Sequence, residues 1–426
     1  MLSSWLMNST ETKRLLANFF SLGLVQGTNF LVPILIIPYV IGKIGADGFG
    51  EVAVAQVFIM FFINVTDYGF NLTATRDVSR SEMEPSTVSK ILSVVLITRL
   101  LIAALLFSCM LATFWLVPSV REYTALYVLG FTAVVGQGLL LNWLFQGAEQ
   151  MKFITYVSLF SRVVFALLVL VYIKSPGDGI YYMFFMGLGN ILAGVVSVII
   201  AIRLFKLSFI MPSRREVVKE LYGGWHIMAS NVATSSYMYV NVFFLRLFTN
   251  DTVVGYYSVA DKVVQAVRQL LSVYFNVIYP KVCQYVQKTR VELYQFFKRF
   301  FFPFQVAILL GCIFLLCWPS PVVGYFMKGD TRLPEECLQI MAFVPWLVCL
   351  NIPSYQVLLA NNEKRSLMFV FISGALFNVV LNIALTGLYG IYGTCFTVLI
   401  TEVYITAGLV YFYNKKMHTK PGVWIF

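Results

Sequence analysis

The chain has 426 residues, of which 59% are hydrophobic and only 12% charged; its mean hydropathy is +0.80 and its formal net charge +11. A soluble globule carries about twice that charged fraction, so this composition excludes a protein whose whole surface faces water. The surplus of Lys and Arg would suit nucleic acid only if it formed one patch, and it does not.

Apolar runs of roughly 20 residues, the length at which a helix crosses about 30 Å of hydrocarbon, recur about twelve times. In chain order they cover residues 15–41, 49–72, 89–117, 124–145, 153–173, 179–202, 223–248, 253–280, 300–318, 337–360, 367–388 and 391–413. The runs are continuously apolar rather than alternating, which predicts helices and not a membrane barrel. The expected fold is therefore all-α and polytopic: an N-terminal tail (1–14), a first bundle (15–202), a basic linker (203–222), a second bundle (223–413) and a C-terminal tail (414–426).

Lys13, Arg14, Arg76, Arg80, Lys90, Lys152, Arg203, Lys206, Arg214, Arg215 and Lys219 fall in gaps on the N-terminal side, as do the basic residues of the later gaps on that face. The opposite gaps hold only Lys43, Arg121, Lys174, Arg246, Lys328 and Arg332. The positive-inside bias then predicts both termini in the cytoplasm and assigns the net charge to topology and anionic lipid head groups, without nucleic acid. The first apolar run is a full span with no small-residue cleavage site after it, so it is expected to stay in the membrane.

The gaps are short, and P-loop, G-x-S-x-G and H-E-x-x-H motifs are absent from the sequence. The two histidines are His226 and His418, and seven scattered cysteines form no C-x-x-C pair, so no metal, cofactor or disulfide is expected. Catalysis and ATP-driven pumping recede, and secondary transport is the class left. A short internal match supports it: Gly50-Glu51-Val52-Ala53-Val54-Ala55 resembles Gly255-Tyr256-Tyr257-Ser258-Val259-Ala260, six spans later. An even offset makes the halves parallel repeats, the arrangement expected to leave a cavity between two six-helix bundles.

Ionisable groups inside spans cost on the order of 3 kcal/mol each near the helix centre and mark candidate function. Tyr257, Asp261, Gln265, Arg268, Ser272 and Asn276 form one stripe at helical spacing, echoed by Gln56, Asn64, Asp67 and Asn71 in the second span and by Ser230, Thr234, Tyr237 and Asn241 in the seventh. Gln26 and Asn29 add polar positions to the first span. Arg162, Arg268, Lys262 and Arg99, with Asn29, Gln265, Tyr257 and Asn241, are the expected lining of a cationic, polar cavity that suits an anionic cargo. Asp261, Glu402 and Asp67 are the expected ion- or proton-coupling acids; the competing reading is that these charges pair and only specify packing. Pro33, Pro38, Pro345 and Pro353 are expected to kink their helices, and Gly23 and Gly27 to let helices approach closely.

Asn29 to Gly50 (NFLVPILIIPYVIGKIGADGFG), Asp67-Tyr68-Gly69-Phe70 with Thr75-Arg76-Asp77, and Asn142-Trp143-Leu144-Phe145-Gln146-Gly147-Ala148-Glu149-Gln150-Met151-Lys152 together resemble the O-antigen flippases (Wzx-type), the polysaccharide transport branch of the superfamily that includes the multidrug and toxin extruders. The resemblance implies export of an undecaprenyl-pyrophosphate-linked oligosaccharide from the cytoplasmic to the periplasmic leaflet of a bacterial inner membrane, through a cationic lumen and with ion or proton coupling. It also implies polysaccharide polymerase and chain-length proteins as partners beside membrane lipids. The alternatives are a drug or metabolite antiporter of the same superfamily, a membrane-embedded enzyme acting on lipid-linked sugars, and a scaffold for the glycosyltransferase assembly.

Overall fold

The computed structural model describes residues 9–81, 83–361 and 363–417. The described residues are almost entirely helical and include no strand. They divide into two compact units, one built from residues up to Ile44 together with Ala55–Val232, the other from Gly45–Val54 together with the residues from Ala233 onward. Eight segments among the described residues are long and apolar enough to cross a membrane. The protein is a multi-pass membrane protein.

The helices of the first part of the chain are α1 (Ser9–Asp67), α2 (Phe70–Arg80), α3 (Pro85–Leu116), α4 (Thr124–Leu139), α5 (Asn142–Gly147), α6 (Met151–Tyr172), α7 (Gly179–Phe205) and α8 (Arg214–Phe248). Gly45, at φ 76 and ψ 175, breaks α1 where two separate spans were expected. Such a φ favours glycine because no Cβ crowds the carbonyl. Two consecutive left-handed residues, Tyr68 (φ 50) and Gly69 (φ 83), end α1 and start α2. Pro85 opens α3 at its first turn, where its missing N–H removes no helical bond.

Inside this unit α4 and α7 run closest together. A Cβ on Gly136 would collide with the backbone of Asn190 and Ile191, one on Gly187 with Thr132 and Ala133, and one on Gly194 with Leu139. Small residues permit this approach in a lipid environment, where packing replaces the hydrophobic effect between helices. The expected close approach at Gly27 is corrected: among the described residues no other helix comes within 4 Å of where its Cβ would stand. The side chains of Gln26, Asn29, His226, Thr234 and Tyr237, and the whole of His418, lie outside the described residues.

Two of the three motifs that carried the resemblance, those at 67–77 and 142–152, pack on one another. Phe70, Ala74 and Val78 of α2 share a buried core with Trp143, Leu144 and Phe145 of α5 and with Val88 and Leu92 of α3. Thr75 Oγ1 donates to the Trp143 carbonyl at 3.1 Å, and a Cβ on Gly147 would strike the Thr75 carbonyl and Val78. The Asn142–Gly147 segment therefore acts as a packing element.

The remaining helices are α9 (Asp251–Tyr285), α10 (Arg290–Phe296), α11 (Phe302–Cys317), α12 (Pro319–Phe326), α13 (Arg332–Met341), α14 (Val344–Ala360), α15 (Lys364–Leu381) and α16 (Gly387–Met417). π-Turns at Phe297–Phe301 and Asn382–Thr386 precede α11 and α16. Pro345 does not kink a span: it lies in the first turn of α14, while Pro353 is inside that helix. α8 and α9, each 35 residues long, have the length to cross but too many polar residues to stand among the apolar eight. Their polarity is the stripe seen in the sequence, and helix partners rather than lipid must cover it.

Within the second unit the Gly45–Val54 stretch crosses the start of α9. A Cβ on Gly50 would fall inside the Asp251 carbonyl, and one on Gly255 inside the Ala46 carbonyl, while Thr252 Oγ1 donates to Asp47. Gly50 with Gly255, Ala46 with Asp251 and Asp47 with Thr252 share one sequence offset of 205 residues. Equivalent positions of the short internal match thus meet reciprocally, as positions related by a two-fold axis do.

Candidate functional site

Each unit contains a buried polar centre. In the first, α1 delivers Asp67 at its last residue, the left-handed pair Tyr68 and Gly69 redirects the chain, and Asn71 follows on the first turn of α2. Arg99 reaches this corner from α3: Nη2 donates to Asp67 Oδ1 at 2.5 Å and to Asn71 Oδ1 at 3.5 Å, and Nη1 donates to the Leu140 carbonyl at 3.2 Å. Its side chain is 3% exposed. One guanidinium thereby fastens two helix interruptions, at Tyr68–Gly69 and after α4, because its planar fork can serve three acceptors that an ammonium group could not. Ile63, Thr66, Asp67, Arg99, Val134, Gln137 and Gly138 close around this corner and leave no space that would hold a water molecule. Arg99 Nε and Thr66 Oγ1 are buried there without a hydrogen-bond partner.

In the second unit Tyr257, Asp261, Gln265 and Arg268 of the α9 stripe are at least partly buried and the charges of Asp261 and Arg268 are engaged, while Ser272 is exposed and the side chain of Asn276 lies outside the described residues. Arg268 Nη2 donates to Glu402 Oε1 of α16 at 2.6 Å, with the two side chains 21% and 3% exposed. Gln265 Nε2 donates to Asp261 Oδ2 at 2.6 Å, and Tyr257, one turn earlier, is buried. Lys262 is half-buried beside Asp261. Glu402 is therefore the partner of Arg268, while Asp261 bonds within its own helix.

Next to this pair runs a chain of neutral polar groups. Asn382 Nδ2 donates to Asn241 Oδ1 at 2.8 Å and to Asn378 Oδ1 at 3.0 Å. Asn378 Nδ2 donates to Asn241 Oδ1 at 3.2 Å and Thr401 Oγ1 at 3.1 Å, Thr386 Oγ1 donates to Asn382 Oδ1 at 3.0 Å, and Thr386 and Thr394 hydroxyls lie 3.0 Å apart. Asn378, Asn382, Thr394 and Thr401 have no exposed surface. The sequence reading named Asn241 alone of this group. The i, i+4, i+8 spacing of Asn378, Asn382 and Thr386 was the available signal, and it is neutral, so a search for charge passes over it.

Of the other expected residues, Arg162 is half-buried on α6 with Tyr182 of α7 as its electrostatic neighbour. Asp67 and Arg99 are brought together with each other, and Asp261, Lys262, Gln265, Tyr257, Arg268, Glu402 and Asn241 all belong to the second unit. No cluster of metal-ligating side chains exists among the described residues.

The profile of a family described as polysaccharide biosynthesis protein matches residues 15–286. The chain belongs to this family. Two curated relatives are similar along nearly their whole length: a protein of Shigella dysenteriae named for O-antigen transport, 28% identical over 91% of this chain and 97% of the relative, and a protein of the same name from Escherichia coli (strain K12), 27% identical over 96% and 99%. Among solved structures, a multidrug resistance MATE family transporter of the MOP superfamily in an inward-facing conformation aligns with a TM-score of 0.68 at 14% identity, covering 92% of this chain and 94% of that one. The lipid II flippase MurJ in an inward closed conformation aligns at 0.65 and 13%, covering 97% and 94%. At those identities the structural likeness establishes the fold. This chain thus shares its fold with those two structures.

Proposed function

We propose that this chain is a secondary transporter, not an enzyme, that flips an undecaprenyl-pyrophosphate-linked oligosaccharide from the cytoplasmic to the periplasmic leaflet of the bacterial inner membrane by alternating access. What supports this reading most is that both curated relatives, matched over 91% and 96% of this chain, are named for O-antigen transport. Both termini are then cytoplasmic, two six-helix bundles form the transport unit, and polysaccharide polymerase and chain-length proteins are its partners in the membrane.

Of the expected cationic residues Arg162, Arg268, Lys262 and Arg99, the first two suit a pyrophosphate because guanidinium groups bind phosphate oxygens in pairs and Lys262 adds a point charge, whereas Arg99 is buried and held by Asp67, Asn71 and the Leu140 carbonyl. Asn29 and Gln265 are the neutral groups proposed for sugar hydroxyls, whereas Tyr257 and Asn241 are buried, Asn241 as an acceptor of the carboxamide chain. Asp261, Glu402 and Asp67 are the acids proposed to exchange a proton or ion between states. The Arg268–Glu402 pair gives coupling a physical form, because losing the charge of either side chain weakens the contact that joins α9 to α16.

The test is mass spectrometry of polyprenyl-linked sugars in a strain deleted for the gene, with leaflet location read by an impermeant periplasmic probe. One complete repeat unit accumulating in the cytoplasmic leaflet is the expected result. Normal pools with unchanged surface polysaccharide overturn it in favour of a drug or metabolite antiporter.

A further inference from the structure

α7 ends at Phe205, and Lys206 turns the chain at φ 53 and ψ 43 as the Leu207 N–H closes on the Ile202 carbonyl at 3.1 Å. From Leu207 the chain leaves helical structure until α8 begins at Arg214. It runs back along α3, because the Ser208 N–H donates to Ser89 Oγ at 3.0 Å and the Ile210 N–H to Ser93 Oγ at 2.9 Å. An extended chain advances about 6.6 Å in two residues and a helix about 6.0 Å in four, so hydroxyls at i and i+4 fall in register with alternate amides. Both serines are buried and donate their own protons to the carbonyls of Pro85 and Ser89.

The direction of the pairing matters. Ser93 lies one turn deeper than Ser89 in the apolar span Pro85–Leu116, so the segment descends into that span. It then returns, since Glu216 pairs with Lys90 on the first turns of α3. Extended backbone can enter hydrocarbon only where its amides have partners, and the two serines provide them. Leu207 is buried against Val88 and Leu92, whereas Phe209, Ile210 and Met211 are 59%, 42% and 78% exposed. Arg203 and Lys206 precede this apolar tip and Arg214 and Arg215 follow it, all exposed. Three apolar side chains framed by four cations match a leaflet of anionic phospholipid, acyl chains inside and phosphate at the rim.

We propose that residues 207–213 are a re-entrant lipid strap, in which Phe209, Ile210 and Met211 insert among acyl chains and Arg203, Lys206, Arg214 and Arg215 hold the head groups of anionic phospholipid. The strap fixes the basic linker to α3 and makes it a lipid-binding site rather than a free cytoplasmic loop.

The experiment uses the full chain with photoreactive p-benzoylphenylalanine replacing Met211, reconstituted in vesicles of phosphatidylcholine and phosphatidylglycerol at equal mole fraction. A second protein carries the probe at Leu376, a strongly exposed apolar position of α15, as a lipid-facing reference. After irradiation, mass spectrometry should find lipid adducts at both positions, with phosphatidylglycerol favoured at Met211 by about fivefold or more, as a single cation at a surface gives. R214Q/R215Q should weaken that preference, and R203Q/K206Q/R214Q/R215Q should abolish it, while the adduct persists. The pair S89A and S93A should lower the adduct at Met211, and S93T, which keeps the hydroxyl, should restore it. Absence of a lipid adduct at Met211 while Leu376 labels overturns the strap, and equal labelling of the two lipids overturns the head-group site.

Discussion

Arg99 shows how one residue can organise two helix breaks. Its guanidinium spans Asp67, Asn71 and the Leu140 carbonyl, so removing it strands a buried carboxylate and a carbonyl at once. Breaking such a pair costs about 3–5 kcal/mol, and Arg99→Leu should lower thermal stability in detergent accordingly. Arg99→Lys should recover only part of the loss, because an ammonium group cannot reach all three acceptors. Glu216 allows a pH prediction outside the membrane. It accepts from Ser213 and pairs with Lys90, and these hydrogen bonds pull its pKa from 4.5 down to about 2. A depressed carboxylate stabilises the fold above its unfolded value and loses that contribution as pH falls from 4.5 through about 2. The protection factors of the first turn of α8, with intrinsic exchange rates divided out, should therefore fall over that window in the native chain, and the Glu216→Gln variant should show low protection throughout with no such step.

Between elements, glycine contacts decide which helices meet. Gly50 and Gly255 lie against carbonyl groups with no room for a methyl, so Gly50→Ala and Gly255→Ala should each reduce the yield of monodisperse protein on size-exclusion chromatography. Gly177→Ala, at a position open to a Cβ, should not. The carboxamide chain is the second inter-element device. Interhelical hydrogen bonds in membranes contribute on the order of 1 kcal/mol each, and several converge on Asn378. Asn378→Leu should thus lower the melting temperature more than Ser108→Ala, whose hydroxyl donates within its own helix at an exposed site.

For the molecule as a whole, transport itself is the measurement. If Asp261 and Glu402 couple ion movement to flipping, Asp261→Asn and Glu402→Gln should each slow movement of a labelled lipid-linked sugar in reconstituted vesicles severalfold while leaving its binding intact. Full rates in both variants would leave these acids as packing groups. Arg268→Ala should be worse than Glu402→Gln, because it leaves an ionised carboxylate buried without its cation.

The class of this protein was legible from composition and the repeated apolar runs, because crossing hydrocarbon demands length and hydropathy that a sequence displays directly. The α9 stripe was legible too, since helical periodicity is a local property, and so was the short match between Gly50 and Gly255. What the sequence could not assign was partnership. Arg268 had Asp261 nearby in the chain and found Glu402 instead, 134 residues away; Arg99 found Asp67, 32 residues away. Ser89 and Ser93 looked like ordinary small residues of a span until the chain beyond α7 folded back onto them. Solvent preference is written residue by residue and survives in the bare sequence. Pairing depends on which helices lie side by side, and only the tertiary structure decides that.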